Sequence, residues 1–184
     1  MMGEPRISGG QSALVMNNNG HDNRSGWIEA TLQQFEGPLL RYALRLTRNL
    51  EVARDVVQET FLKLCHEDPA SRQSHLAEWL FTVCRNHAID RRRKEQRMST
   101  MTEDTLAVLT VPRSQTPDTV ETADTARAVL QHLEHLPENQ QEVIRLKFQN
   151  GMSYREISGI TGLSESHVGV LLHTGLKALR ARLT

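Results

Sequence analysis

The residues best suited to recognise another molecule lie near the C-terminus. Residues 165–167, Glu-Ser-His, are polar side chains that can contact base edges or phosphates in the major groove of DNA. They follow Ser164, a residue type that caps helix starts, so we expect them on the first turns of a helix. Ser153, with Glu156 three residues on, has the spacing of a capping box and begins a shorter helix before it. The pattern predicts a helix-turn-helix, whose second helix enters the major groove with its N-terminal turns.

A tight turn at Gly162 separates the two predicted helices, because glycine accepts a positive φ. Ser158 is small enough for the second helix to cross close to the first. The second helix carries apolar residues at three- and four-residue steps, and we expect this stripe to be buried. It consists of Val168, Leu171, Leu172, Leu176 and Leu179. An ordinary helical hairpin that binds nothing has the same pattern, so the motif alone leaves both interpretations open.

The most basic part of the chain is residues 91–94, Arg-Arg-Arg-Lys. Asn86, Asp90, Arg93 and Arg97 follow one flank of the same predicted helix. Lysine and arginine contacts to phosphates supply much of the affinity of proteins for nucleic acid. A solvated helix face has a similar composition, so nucleic-acid contact and plain solvation are both open here.

Two histidine spacings, His132-x-x-His135 and His66-Glu-Asp, could belong to a metal hydrolase. The first lacks a nearby acidic third ligand at a helical step. The sequence also lacks a glycine-rich phosphate loop, a nucleophile elbow and paired catalytic carboxylates. We therefore expect a protein that is not an enzyme and that needs neither a cofactor nor a metal.

Composition limits the function further. Lys+Arg and Asp+Glu balance at 22 each, which argues against a protein that binds DNA tightly by itself. Cys65 and Cys84 have no metal-ligand spacing, and we expect reduced, partly buried thiols. No signal-like segment opens the chain, and no apolar run approaches the ~20 residues that span a bilayer. These features favour a cytoplasmic protein without membrane insertion.

The predicted fold is all-α, with two small helical domains joined by a flexible acidic linker. Residues 1–26, rich in Gly, Asn and Ser, form a disordered tail, and residues 27–98 form the first domain. Residues 99–125 form the linker, in which Pro112 and Pro117 break any helix. Residues 126–184 form a four-helix unit that includes the helix-turn-helix. One of its helices starts at Pro137-Glu138 and ends at Asn150-Gly151.

In the first domain, Pro38 should break the helical pattern, so that the first helix follows it, and Asn49 ends that helix or caps the next. Residues 51–66 divide into two arcs at 100° per residue. The buried arc contains Ala53, Val56, Val57, Thr60, Phe61 and Leu64, and the polar arc contains Asp55, Gln58, Glu59, Leu62 and His66. A leucine among polar residues is a reasonable partner contact, although single exposed leucines are common. After a loop at residues 67–75, a long helix buries Leu76, Leu80, Val83, Cys84 and His87.

Three blocks resemble those of one bacterial family. They are Asp55-Val-Val-Gln-Glu-Thr-Phe-Leu-Lys-Leu64, Glu78-Trp-Leu-Phe-Thr-Val-Cys-Arg-Asn-His-Ala-Ile-Asp-Arg-Arg-Arg93 and Leu136-Pro-Glu-Asn-Gln-Gln-Glu-Val-Ile-Arg-Leu146, the last leading into the helix-turn-helix. In this order they closely resemble an extracytoplasmic-function sigma factor. The resemblance implies a dissociable subunit of RNA polymerase that directs the core enzyme to promoters.

The resemblance also implies roles for residues of the first domain. The core-polymerase contacts would be Asp55, Gln58, Glu59 and Leu62, docked on the clamp helices of the largest catalytic subunit. The minus-10 contacts would be Arg85, Asn86, Asp90, Arg91, Arg93 and Lys94. Arg85 and Asn86 occupy the positions of the melting tryptophans of housekeeping sigma factors, so melting would rely on capturing an unstacked base near Asn86 and the loop at residues 67–75. Trp79 and Phe81 are expected in the core.

For the rest of the chain, the resemblance implies that the linker threads the polymerase cleft and that the helix-turn-helix reads the minus-35 element. The minus-35 contacts would be Arg155, Ser164, Glu165, Ser166, His167, His173, Lys177 and Arg180. Many relatives carry Lys and Arg just after the valine of the second helix, where this chain reads Val168-Gly-Val-Leu-Leu-His173. An anti-sigma factor clamped on both domains is a further implied partner. The nearest alternative is a stand-alone helix-turn-helix regulator, which would need its own dimer interface.

Overall fold

The computed structural model describes residues 18–72, 74–99 and 130–183, and the regular structure within these ranges is helical. The N-terminal domain contains α1 (Asn18–Thr47), α2 (Leu50–Leu64), α3 (Pro69–Arg72) and α4 (Leu76–Ser99). The C-terminal domain contains α5 (Glu138–Phe148), α6 (Tyr154–Thr161) and α7 (Glu165–Leu183), and residues 130–133 before them are also helical. The predicted linker and most of the predicted tail lie outside the described residues.

Helix α1 starts earlier than the sequence predicts and continues through Pro38, so the predictions of a tail up to residue 26 and of a break at Pro38 were wrong. The Arg24 guanidinium donates to the carbonyls of Cys65 and Glu67, beyond the C-terminal end of α2, where a cation is favoured. A proline inside a helix costs about 3 kcal/mol. Leu39 and Ala43 follow Pro38 and are fully buried, and the free energy gained by burying them offsets this cost.

Helix α2 has the two arcs that its sequence predicts. The Asn49 side chain caps it, accepting from the N–H groups of Glu51 at 3.0 Å and Val52 at 3.2 Å. All six residues of the predicted inner arc are buried. On the opposite arc, the Leu62 side chain is 57% exposed. The helix therefore presents a polar, leucine-bearing face to solvent.

Helix α4 completes the N-terminal core. Phe81 is buried, as predicted, and its ring centroid lies 5.2 Å from that of Tyr42 on α1. Burial raises the pKa of the Cys84 thiol to about 12. Cys65 is exposed, so the prediction of a partly buried thiol was wrong there. Trp79 is half-buried, with the Arg72 guanidinium 5.2 Å from its ring centroid.

The C-terminal core forms where α5 and the two following helices meet. Val143 and Leu146 of α5 are fully buried, together with Ile157 of α6 and Val168 of α7. The chain leaves α5 through Gly151, which has a φ of +69°. This domain packs against the N-terminal domain, chiefly through contacts between α4 and α6. No sequence pattern predicts that contact.

Candidate functional site

The helix-turn-helix has the local structure that its sequence predicts. Ser153 Oγ accepts from the Glu156 N–H at 3.2 Å, and Glu156 Oε2 accepts from the Ser153 N–H at 2.7 Å, which forms the capping box. Gly162 ends α6 with a φ of +74°. Ser164 Oγ accepts from the His167 N–H at 3.2 Å and so caps α7. These predictions are confirmed, and the first turn of α7 is held by its own residues.

One detail of the motif was not predicted, and another differs from its prediction. The Ser158 hydroxyl donates to the Leu163 carbonyl at 2.6 Å, so this side chain closes the turn. Leu176 is 37% exposed, whereas the other four predicted stripe residues are buried. Its neighbour Gly175 faces α5 instead, since a Cβ built there would lie 2.7 Å from Ile144 Cδ1. A glycine at that packing position lets the two helices approach closely.

The residues that the resemblance assigns to the minus-35 element form an exposed set on α6, the turn and α7. Each of them is exposed: Arg155, Ser164, Glu165, Ser166, His167, His173, Lys177 and Arg180. Those at residues 164–167 lie at the N-terminal end of α7, where the helix dipole favours negatively charged groups such as phosphates. The basic members, apart from Arg155, lie further along α7.

The polar arc of α2 is only partly free. Asp55, Gln58 and Leu62 are exposed. The Glu59 carboxylate instead pairs with Arg91 of α4 and lies 2.9 Å from Nδ1 of His87. Glu59 therefore links α2 to α4 within the N-terminal domain, in addition to any role on the surface.

The predicted minus-10 residues on α4 also divide into two groups. Asn86, Asp90, Arg93 and Lys94 are exposed. Arg91 pairs with Glu59, and Arg85 donates from Nε to Glu142 Oε1 of α5 at 2.8 Å and from Nη2 to Glu142 Oε2 at 3.3 Å. Burial acts to lower the pKa of Arg85, but the hydrogen bonds and charge of Glu142 outweigh it and raise that pKa above its ordinary value. Arg85 is thus held as a cation against the other domain.

Sequence reasoning missed the acidic face of α5 that meets these arginines. Glu142 Oε1 also accepts from the Tyr42 hydroxyl at 2.6 Å. Glu138 accepts from Arg48 at 2.8 Å and from Arg92 at 3.3 Å. The available signal was the four-residue spacing of the two glutamates, which places both on one side of a helix. Nothing in that spacing indicates which partner they face.

The alternative metal site gains no support from the geometry. His135 Nδ1 lies 2.9 Å from the carbonyl of Gln131, one turn earlier. Within the described ranges, no three His, Cys, Asp or Glu residues are grouped so that they could hold a metal ion. The helices of those ranges also include none with the length and apolar character needed to cross a membrane.

Comparison with known proteins identifies the family of both domains. Residues 31–98 match the family model described as Sigma-70 region 2, and residues 126–179 match Sigma-70, region 4. The chain is similar to the ECF RNA polymerase sigma factor SigL of Mycobacterium tuberculosis, with 33% identity over 158 residues, 85% of this chain and 88% of SigL. It is also similar to SigM of Bacillus subtilis, with 27% identity over 84% of this chain and 93% of SigM.

Among solved structures, the fold resembles that of the sigma factor RpoE from Bartonella quintana, determined in complex with the anti-sigma factor NepR. The TM-score is 0.64 at 22% sequence identity, covering 84% of this chain and 95% of that one. The two helical domains, the helix-turn-helix and these matches lead to one conclusion: the chain belongs to the ECF sigma factors of bacterial RNA polymerase, which direct promoter-specific initiation of transcription.

Proposed function

We propose that the chain docks on core RNA polymerase through Asp55, Gln58 and Leu62, with Glu59 positioning that surface. The exposed Leu62 is the observation that carries this assignment. It stands among hydrogen-bonding side chains on a helix whose other face is fixed in the core. An apolar side chain in that setting gains free energy only when a partner covers it.

Promoter DNA would meet two further surfaces. On α4, Arg93 and Lys94 would hold phosphates, and the Asn86 amide, which offers both a donor and an acceptor, would bind an unstacked base of the minus-10 element. On α7, the exposed residues 164–167 would approach the major groove of the minus-35 element. The phosphate contacts there would come from Arg155, His173, Lys177 and Arg180.

The balance of charges and the family membership both support a protein whose DNA binding and activity depend on partner proteins. With 22 basic and 22 acidic residues, the free chain should bind DNA weakly and gain affinity within the holoenzyme. It would act in the cytoplasm, where core polymerase is. The solved RpoE complex contains an anti-sigma factor, and a protein of that class would hold this chain inactive.

The test is size-exclusion chromatography of the protein with core RNA polymerase. The informative variant is Asp55→Ala, Gln58→Ala, Leu62→Ala, because all three side chains are exposed. Glu59 stays unchanged, since its removal would leave Arg91 without its partner and disturb the domain itself.

A chemically matched control is Glu29→Ala, Leu32→Ala, Gln33→Ala on the exposed side of α1. We expect the wild type and this control to co-elute with polymerase and the α2 variant to elute alone. Absence of co-elution, with a wild-type dimer that binds duplex DNA unaided, would instead establish a stand-alone regulator.

A further inference from the structure

The rotation of α7 about its own axis is fixed by its buried stripe. Val168 is fully buried, and Leu171 and Leu172 are 7% and 2% exposed. One turn further on, Gly175 packs against α5, where an added Cβ would lie 2.7 Å from Ile144 Cδ1. The buried side is therefore anchored along its length, and the opposite side of α7 faces solvent in one defined orientation.

Val170 is an apolar residue on that outward side. Its side chain is 59% exposed and lies in the second turn of the helix. It follows Ser166 by four residues and precedes His173 by three, so the three exposed side chains share one face. Both of these neighbours can form hydrogen bonds with a base or a phosphate, and Val170 cannot. An apolar side chain in this setting gains free energy only when a partner covers it.

The residues around Val170 add no free hydrogen-bond donor to this part of the face. Residues 168–172, Val-Gly-Val-Leu-Leu, include no polar side chain. Gly169 lies beside α6, where an added Cβ would be 3.6 Å from Tyr154 Cε2. The Thr174 hydroxyl, one turn after Val170, donates to the Val170 carbonyl at 2.8 Å and so has no hydrogen left for a base edge. The second turn of α7 therefore presents an apolar surface.

The major groove of DNA offers one apolar group that such a surface can recognise, the C5-methyl of thymine. A thymine methyl covered by Val170 would gain free energy from burial. A base that presents only donors or acceptors there would lose contact with water and gain no partner, which is costly. The chemistry of this side chain therefore favours thymine at the position that it covers.

We propose that Val170 is a specificity-determining residue of the helix-turn-helix, which selects a thymine of the minus-35 element through contact with the C5-methyl group. The inference rests on the proposed function, because it takes the N-terminal turns of α7 as the part that enters the major groove. Residues 164–167 and the basic side chains position the helix on the duplex. Val170 adds a sequence preference that depends on shape and burial and needs no hydrogen bond.

Replacement of thymine by uracil tests this contact, because uracil lacks the methyl group but keeps every hydrogen-bonding group of thymine. Holoenzyme formed from the full-length protein and core RNA polymerase first selects its preferred sequences from a library of random DNA duplexes. A recovered duplex is then synthesised again with uracil in place of each minus-35 thymine in turn, on either strand. Titration of the holoenzyme measures its affinity for each duplex.

At one position, uracil should weaken binding of the wild-type holoenzyme ~4-fold, the loss expected for one buried methyl group. With Val170→Ala, the same thymine and uracil duplexes should bind within ~2-fold of each other. The matched control is Leu176→Ala, which removes an exposed apolar side chain from a later turn of α7 and should retain the ~4-fold difference. Both substitutions change exposed side chains, so both variants should keep the wild-type melting temperature.

Two results with DNA would overturn the inference and leave the proposed function intact. They are a minus-35 element in which no thymine methyl affects binding, and a methyl effect as large in Val170→Ala as in the wild type. Failure of Val170→Ala to co-elute with core polymerase would also overturn it, because Val170 would then be a protein contact. Failure of the wild type to co-elute would refute the proposed function together with this inference, and chromatography shows that before any DNA is added.

Discussion

Leu62 and its neighbour Phe61 allow a sharp test of the α2 surface, because one side chain is exposed and the other is packed in the core. Leu62 is 57% exposed and Phe61 is 7% exposed. Burying a whole leucine side chain is worth about 1.5–3 kcal/mol, so covering the exposed part of Leu62 should contribute about 1–1.5 kcal/mol to binding. Leu62→Ala should therefore weaken the complex with core polymerase ~5- to 13-fold.

The same substitution should leave the free energy of unfolding within about 0.5 kcal/mol of the wild type. Phe61→Ala should instead cost about 3–5 kcal/mol of stability, since it empties a packed core position. Urea denaturation measures stability, and titration of labelled protein with core polymerase measures affinity. Wild-type affinity in Leu62→Ala, or a loss of more than about 2 kcal/mol of its stability, would refute the assignment of this face.

The remaining predictions concern the two cysteines, the capping box of α6 and the turn at Gly162. A maleimide at about pH 8 should modify the exposed Cys65 but leave Cys84 intact, because the raised pKa of about 12 keeps the Cys84 thiol protonated. Mass spectrometry that showed both cysteines modified would contradict this. The Cys84 thiol has its ordinary pKa of 9.0 in the unfolded chain and a pKa of about 12 in the fold. Its ionisation therefore favours the unfolded chain first, and the free energy of unfolding should fall as pH rises from 9.0 towards 12. Ser153→Ala should cost about 1 kcal/mol in urea denaturation. The Ser153 side-chain and backbone hydrogen bonds lower the pKa of Glu156 below its ordinary value of 4.5. The capping box therefore stabilises the fold above pH 4.5, and this stability is lost as pH falls below that value. If the free energy of unfolding of Ser153→Ala depended on pH as that of the wild type does, the result would argue against the box. Gly162→Ala should cost about 1–2 kcal/mol, because the φ of +74° is strained for alanine although nothing lies near the added methyl; an unchanged melting temperature would disprove this.

Features that depend on residues within about one helical turn were readable from the sequence. The capping box of α6, the turn at Gly162 and the inner arc of α2 are confirmed by the structure. A helix repeats every 3.6 residues, so the spacing of apolar and capping residues records which side is buried and where a helix begins. The exposure of the predicted minus-35 residues follows from the same periodicity.

Predictions failed where distant parts of the chain decided the outcome. The polar composition around residue 20 indicated a tail, but Arg24 binds carbonyls beyond the end of α2, and α1 begins before it. Pro38 is locally a helix breaker, yet burial of Leu39 and its neighbours against α2 and α4 maintains the helix. In both places, tertiary contacts outweigh local propensity.

The sequence by itself determined the two helical domains, the helix-turn-helix and the polar arc that carries Leu62, because local spacing encodes helical faces. Only the tertiary structure decided which charged residues are available at those surfaces. Arg85 and Glu142 are 57 positions apart and pair across the domain interface, while Glu59 pairs with Arg91 inside one domain. Ion pairs of this kind depend on how helices pack in space, and residue spacing along the chain does not record that packing.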